Sequence, residues 1–208
     1  MLDLPNCSVL DKDSLLGGCV KLPIAIDAAR LLDEYRKLPE ALWGTRGGRV
    51  GVHNAAEAVF LRGYAPAEGE LPIEDRPALQ HLPYVRHLIK ETIPAPVYRC
   101  LLAKLPASAV VAPHIDRAPY FSKTLRIHIP IETHSGAWMM CANKYYAMRA
   151  GECWVINNST LHGVWNADRS RPRTHMICDF SASPALLDIV AAGEKDLALD
   201  AAPANLPW

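Results

Sequence analysis

From Val97 onward the chain is a train of short β-type runs: VYRCLLAKL, TLRIHIPIE, AWMMCAN, ECWVINN, LHGVWN and RTHMICDF. Gly, Pro, Asn and Ser separate them at roughly even spacing. That spacing predicts an all-β sandwich, barrel or jelly roll.

The first part of the chain reads differently. Residues 25–38, AIDAARLLDEYRKL, carry apolar positions at helical spacing, with Asp27 as N-cap and Pro39 as a stop. WGTRGGR (43–49) reads as a Gly-rich loop, GVHN (51–54) and EAVFLRGY (57–64) as strands, and YAPAEGELPIEDRP as a second loop. ALQHLPYVRHLIKETI (78–93) predicts a helix kinked or started late at Pro83. PALLDIVAA (184–192) predicts a C-terminal helix, and ALDAAPANLPW a loose tail. The expectation is one domain over residues 1–208: a helical and strand-bearing layer (1–96), a β-core (97–182), then a helix and tail (183–208).

Composition excludes several classes. Half of the 208 residues are apolar, so global disorder is excluded. Lys plus Arg balance Asp plus Glu at 22 each, and nothing marks a nucleic-acid or membrane-surface protein. No apolar run approaches a membrane span, and acids stand where a signal peptide carries basic residues. A soluble, cytoplasmic protein is expected. The six Cys are scattered, without a CxxC pair, which predicts reduced, buried thiols.

His114 and Asp116 stand two apart in PHID. On a strand, side chains two apart point the same way, so both could reach one ion. Imidazole plus carboxylate suits a divalent metal with open positions, as in the two-His, one-carboxylate sites of non-haem Fe(II). A surface His beside a solvated Asp has the same spacing. With 8 His and 22 acids the pattern is expected about once by chance. His162, just past a strand, is the best third ligand if the sheet folds back on itself. In TLRIHIPI, Arg126, His128 and Pro130 share one face, while Leu125, Ile127 and Ile129 share the other. The polar face is either solvated or lines a polar cavity. Arg173 heads another run, and Arg is a bidentate partner for a carboxylate.

In order, PHID, TLRIHIPIE, MMCANKYYAMRAGECWVINNSTLHGVWN and RPRTHMICDF resemble the aspartyl/asparaginyl β-hydroxylase family. These are Fe(II)- and 2-oxoglutarate-dependent oxygenases on a mainly β, double-stranded β-helix (jelly-roll) core with flanking helices. The resemblance spans residues 97–182. VGVHNA (50–55) looks like a segment preceding the core in the bacterial free-proline cis-4-hydroxylases of this family.

The resemblance implies His114, Asp116 and His162 as the catalytic iron ligands. It implies Arg173 at the distal carboxylate of 2-oxoglutarate, with Arg126 and His128 helping to hold acid groups of cosubstrate or substrate. Fe(II), 2-oxoglutarate and O2 are then the cofactors, with ascorbate assisting. The animal peptidyl hydroxylases of the family have Gly where this chain has Asp116. Related halogenases leave that position vacant for chloride. The first departure leans towards a small, amino-acid-like substrate, as in the bacterial members, and the second makes hydroxylation the default; no nucleic-acid or membrane partner is expected. Arg117, His53, Asn54 and Arg62 are the substrate-binding candidates. Peptidyl or carrier-bound aminoacyl substrates, a cupin-like enzyme without 2-oxoglutarate and a catalytically silent metal- or ligand-binding module are the alternatives. Arg173 argues against a silent module, which needs no carboxylate clamp.

Overall fold

The computed structural model describes residues 8–45, 51–53 and 55–208. Among them lie two antiparallel sheets. Seven strands form the larger: β1 (Cys19–Leu22), β9 (Cys153–Ile156), β6 (Thr124–Glu132), β11 (Arg173–Ser181), β4 (Val97–Leu105), β3 (Glu57–Arg62) and β2 (Gly44–Thr45), in that order. The smaller runs β5 (Val110–His114), β10 (His162–Asn166), β7 (Ala137–Cys141), β8 (Lys144–Tyr146). From β4 onward the chain passes back and forth between the sheets, which is the expected double-stranded β-helix.

Alternation along each strand assigns its residues to two cores. Leu125, Ile127 and Ile129 of β6 and Met176, Cys178 and Phe180 of β11 face the helices. There they meet Leu31 of α2 (Ala28–Arg36), Val85 of α3 (Pro83–His87) and Leu186 and Val190 of the C-terminal helix (Pro184–Ala191). The opposite face meets the small sheet, where Val111, Met139, Val164 and Ile156 pack together. Covered on both sides, β11 is buried at every position and β6 at all but its last. Their period-two polar residues are therefore enclosed between the sheets.

Asp27 caps α2 as expected, accepting from the Arg30 N–H at 3.0 Å. The predicted helix over 78–93 is broken at Pro83 into a 3-10 turn, α3 and a single π turn. GVHN is not a strand over its described residues 51–53: Gly51 has φ +82°, outside the extended region. Asn54 lies outside the described residues. The tail is not loose at its start, because the Leu199 N–H donates to the Tyr145 carbonyl at 2.8 Å on the edge of β8. Short elements that were not expected include β1, α1 (Lys12–Leu16), capped by Asp11, and a helical turn over Pro119–Ser122; β2 falls within the expected Gly-rich loop, where Gly44 and Thr45 pair with Ala58 and Glu57 of β3. Five cysteines, Cys19, Cys100, Cys141, Cys153 and Cys178, are buried free thiols. Among the described residues no helix is long and apolar enough to cross a membrane.

Candidate metal centre

His162 of β10 lies directly opposite His114 of β5, and the imidazole centroids are 4.2 Å apart. The pairing slips between His162 and Val164. A Cβ on the intervening Gly163 would meet the Val111 carbonyl oxygen at 3.0 Å and the Pro113 backbone at 3.2 Å. Glycine thus lets the two strands close where the histidines meet.

The backbone also fixes both rings. His114 Nδ1 is 2.8 Å from the Ala112 carbonyl oxygen, and His162 Nδ1 is 2.9 Å from that of Thr160. A carbonyl only accepts, so each Nδ1 carries a proton, and in the neutral ring Nε2 is then the nitrogen with the lone pair. These nitrogens face Asp116, at 3.7 Å from Oδ1 for His114 and 3.9 Å from Oδ2 for His162. Ligand atoms of the three residues lie within 4.8 Å of one another. Two imidazoles oriented by carbonyls, with one carboxylate, make a donor set that fits Fe(II) and leaves coordination positions open.

Asp116 arrives by a different route from the one its spacing implies. β5 ends at His114. Asp116 sits in the following loop, its N–H donating to the Asn158 carbonyl at 3.1 Å. Its Oδ2 accepts from Arg126 Nη1 at 2.5 Å and from Asn158 Nδ2 at 3.0 Å. Burial alone would push its carboxyl up; the Arg126 guanidinium, His162, the Asn158 amide and His114 outweigh that and hold it well below the usual carboxylate range. Burial, and then the neighbouring His114, push His162 down to about 4, so its ring is neutral at pH 7.

Arg126, His128 and Arg173 open on the same cavity as the two imidazoles, so the polar face of TLRIHIPI lines a cavity, whose other walls include Leu105, Val111, Met139 and Ile156. Arg126 differs from expectation in its partners. Nε and Nη2 grip Asp179 at 2.8 and 3.1 Å, while Nη1 holds Asp116, so protein carboxylates occupy the guanidinium. Arg173 Nη2 donates to His175 Nδ1 at 2.7 Å. Burial, Arg173 and His128 together push His175 well below its ordinary pKa, keeping that acceptor unprotonated. His128 meets His175 edge to face, with centroids 5.7 Å apart.

The four substrate candidates separate. His53 lines the cavity and packs edge-on to His114, with centroids 5.1 Å apart. Arg117 is exposed and Arg62 is turned elsewhere, donating to the Val97 carbonyl and Asp75 beside a groove formed by residues 89–97. Neither lines the cavity. Asn54 lies outside the described residues. Three residues of the site went unnoticed in the sequence: Asp179, Asn158 and Lys12. A signal existed for Asp179, which shares the period-two face of Arg173 and His175. It stands opposite Arg126 on one side and Arg99 on the other, and Arg99 Nε lies 3.2 Å from its Oδ2.

In the solved structures, the chain is similar to a 2OG-Fe(II) oxygenase family oxidoreductase from Burkholderia pseudomallei, with TM-score 0.57 and 14% identity over 85% of this chain and 93% of that one. It is also similar to a Pseudomonas putida prolyl-4-hydroxylase, with TM-score 0.52 and 16% identity over 84% and 97%. These likenesses show the fold. In sequence it is 25% identical over 108 residues to the L-proline cis-4-hydroxylase of Rhizobium meliloti (strain 1021). That match takes in 51% of this chain but only 38% of the relative's length. The model of the aspartyl/asparaginyl beta-hydroxylase family matches residues 57–183, from the start of β3 to just past β11. With the His-Asp-His cluster and its buried arginines inside that span, the chain belongs to the aspartyl/asparaginyl β-hydroxylase family.

Proposed function

We propose that the protein is an Fe(II)- and 2-oxoglutarate-dependent hydroxylase of a small, amino-acid-like substrate. The observation that carries this is the convergence of two Nε2 lone pairs and the Asp116 carboxylate on one point beside a cavity holding Arg173. His114, Asp116 and His162 would hold the iron. When bound, iron supplies O2 activation: one oxygen atom enters the substrate C–H as a hydroxyl, the other enters succinate as 2-oxoglutarate loses CO2.

The chain's own residues do the rest. Ala112 and Thr160 carbonyls keep both rings in the ligating tautomer. Arg126 steadies Asp116. Arg173 and His128, both buried and both lining the cavity, offer a cation and a ring for the far carboxylate of the cosubstrate, and burial strengthens such a pair. His53 stands at the substrate side of His114.

The test is succinate formation from 2-oxoglutarate with Fe(II) and ascorbate, across L-amino acids and their N-acyl forms, with product mass read in parallel. A substrate-dependent rise with a gain of about 16 mass units, one oxygen, is the expected result. A visible charge-transfer band under anaerobic conditions without turnover of any free amino acid would move the substrate to a peptidyl or carrier-bound form. Absence of both band and turnover would overturn the enzymatic reading in favour of a silent module.

A further inference from the structure

Lys12 lies in the short N-terminal helix α1 and is only 2% exposed. A buried ammonium is costly unless its protons are used. Two of them are: Nζ donates to the Phe121 carbonyl and to Asn158 Oδ1, both at 2.6 Å. Asn158 in turn donates its Nδ2 to Asp116 Oδ2. Chemistry at both ends fixes the direction of this amide. An ammonium only donates and an ionised carboxylate only accepts, so Oδ1 must face Lys12 and Nδ2 must face Asp116. Burial, and then the positive Arg126, push Lys12 down to about 8, which leaves it charged at neutral pH.

We propose that Lys12 is a positioning residue for the metal centre, acting through Asn158. The ammonium holds the Asn158 amide in the one orientation that donates to Asp116 Oδ2. With Arg126 on the same oxygen, Oδ1 stays free to face His114. A helix about 100 residues upstream of the ligands thus belongs to the site. This rests on the reading of His114, Asp116 and His162 as metal ligands.

The test is anaerobic titration of the full chain with Co(II), followed by visible ligand-field absorption, beside a thermal melt of each metal-free variant. Lys12→Met keeps the length of the side chain and removes the donor. It should raise the Co(II) dissociation constant about tenfold, the scale of outer contacts to ligands. Asp13→Ala is the control for docking of α1, since Asp13 ties the same helix to Asn157 at 2.7 Å without touching the relay. It should change Co(II) affinity less than about twofold while lowering the melting temperature. Asn158→Ala should weaken Co(II) by at least as much as Lys12→Met, and in that background Lys12→Met should have no further effect. It also serves if Lys12→Met folds poorly: unchanged Co(II) affinity in Asn158→Ala would overturn the relay. So would equal losses in Lys12→Met and Asp13→Ala, or a full Lys12→Met effect in the absence of Asn158. A wild-type chain that binds no Co(II) would overturn the metal site itself and the relay with it.

Discussion

Asp179 and Arg126 face each other across β11 and β6 in a two-pronged grip: Oδ1 accepts from Nε at 2.8 Å and Oδ2 from Nη2 at 3.1 Å, with Asp179 fully buried. Arg99 and the Tyr120 hydroxyl close on Oδ2 from the other side. Burial alone would raise the Asp179 carboxyl, but Arg126 and then Arg99 hold it below the usual range. Loss of one partner strands the other in a dry interior, at a cost of about 3–5 kcal/mol.

Asp179→Asn should therefore destabilise the metal-free protein by about that amount in urea unfolding at pH 7. The sign with pH follows from the lowered pKa. The stabilisation is present above about 3.9, where the unfolded carboxylate ionises, and is lost as pH falls through the lower folded value. The acid limb below pH 4 should be flatter in Asp179→Asn. An unchanged midpoint at pH 7 would show that the grip contributes nothing net.

Gly163→Ala tests the close approach of β5 and β10. The added methyl meets backbone atoms at 3.0 and 3.2 Å, and backbone cannot swing away as a side chain would. Overpacking of this kind costs about 1–3 kcal/mol. Because the strain falls between His114 and His162, Co(II) affinity should fall together with the melting temperature. A loss of stability with unaltered Co(II) binding would show that the two rings are held independently of strand spacing.

What the sequence discloses of this site depends on how local its cause is. The polar face of TLRIHIPI is a period-two pattern inside one strand, so Arg126 and His128 could be placed on a shared face from spacing alone. The same arithmetic would have found Asp179, two residues after Ile177 on the face of Arg173 and His175. Other positions are set by distant partners and leave no local mark. Lys12 begins KDSLL between two acids, and its burial comes from Phe121 and Asn158, distant in sequence. Arg62 lies in a strand near the core but is drawn aside by Asp75 and the Val97 carbonyl. Asp116 reaches the imidazoles through a loop held by Asn158, not by the strand alternation that its spacing suggests. Resemblance of four ordered segments to a family carried the ligand set further than pattern could.

Arg173→Ala addresses the cosubstrate. The arginine is 4% exposed, donates to His175 and opens on the cavity. A charge-assisted hydrogen bond to a carboxylate is worth about 1.5–3 kcal/mol, or about 10- to 100-fold in affinity. The concentration of 2-oxoglutarate for half-maximal succinate production should rise by that factor, with Co(II) affinity in the absence of 2-oxoglutarate little changed. An unaltered 2-oxoglutarate dependence would assign the clamp to another cation.

The neutral state of His162 gives a separate prediction for the metal-free protein. Unfolded, this ring takes a proton near pH 6.5; folded, burial and then His114 delay that to about 4. Between those values the unfolded chain binds more protons, so stability is fully present above about 6.5 and falls as pH drops through 4. The gap corresponds to about 3 kcal/mol. His175, pushed down by burial and by Arg173, acts with the same sign. Urea unfolding of the metal-free protein between pH 7 and 4.5 should show this decline, and His162→Gln, which does not titrate, should remove part of the slope. An identical slope in that variant would mean that His162 titrates alike folded and unfolded, so that burial and His114 do not hold its ring neutral in the fold.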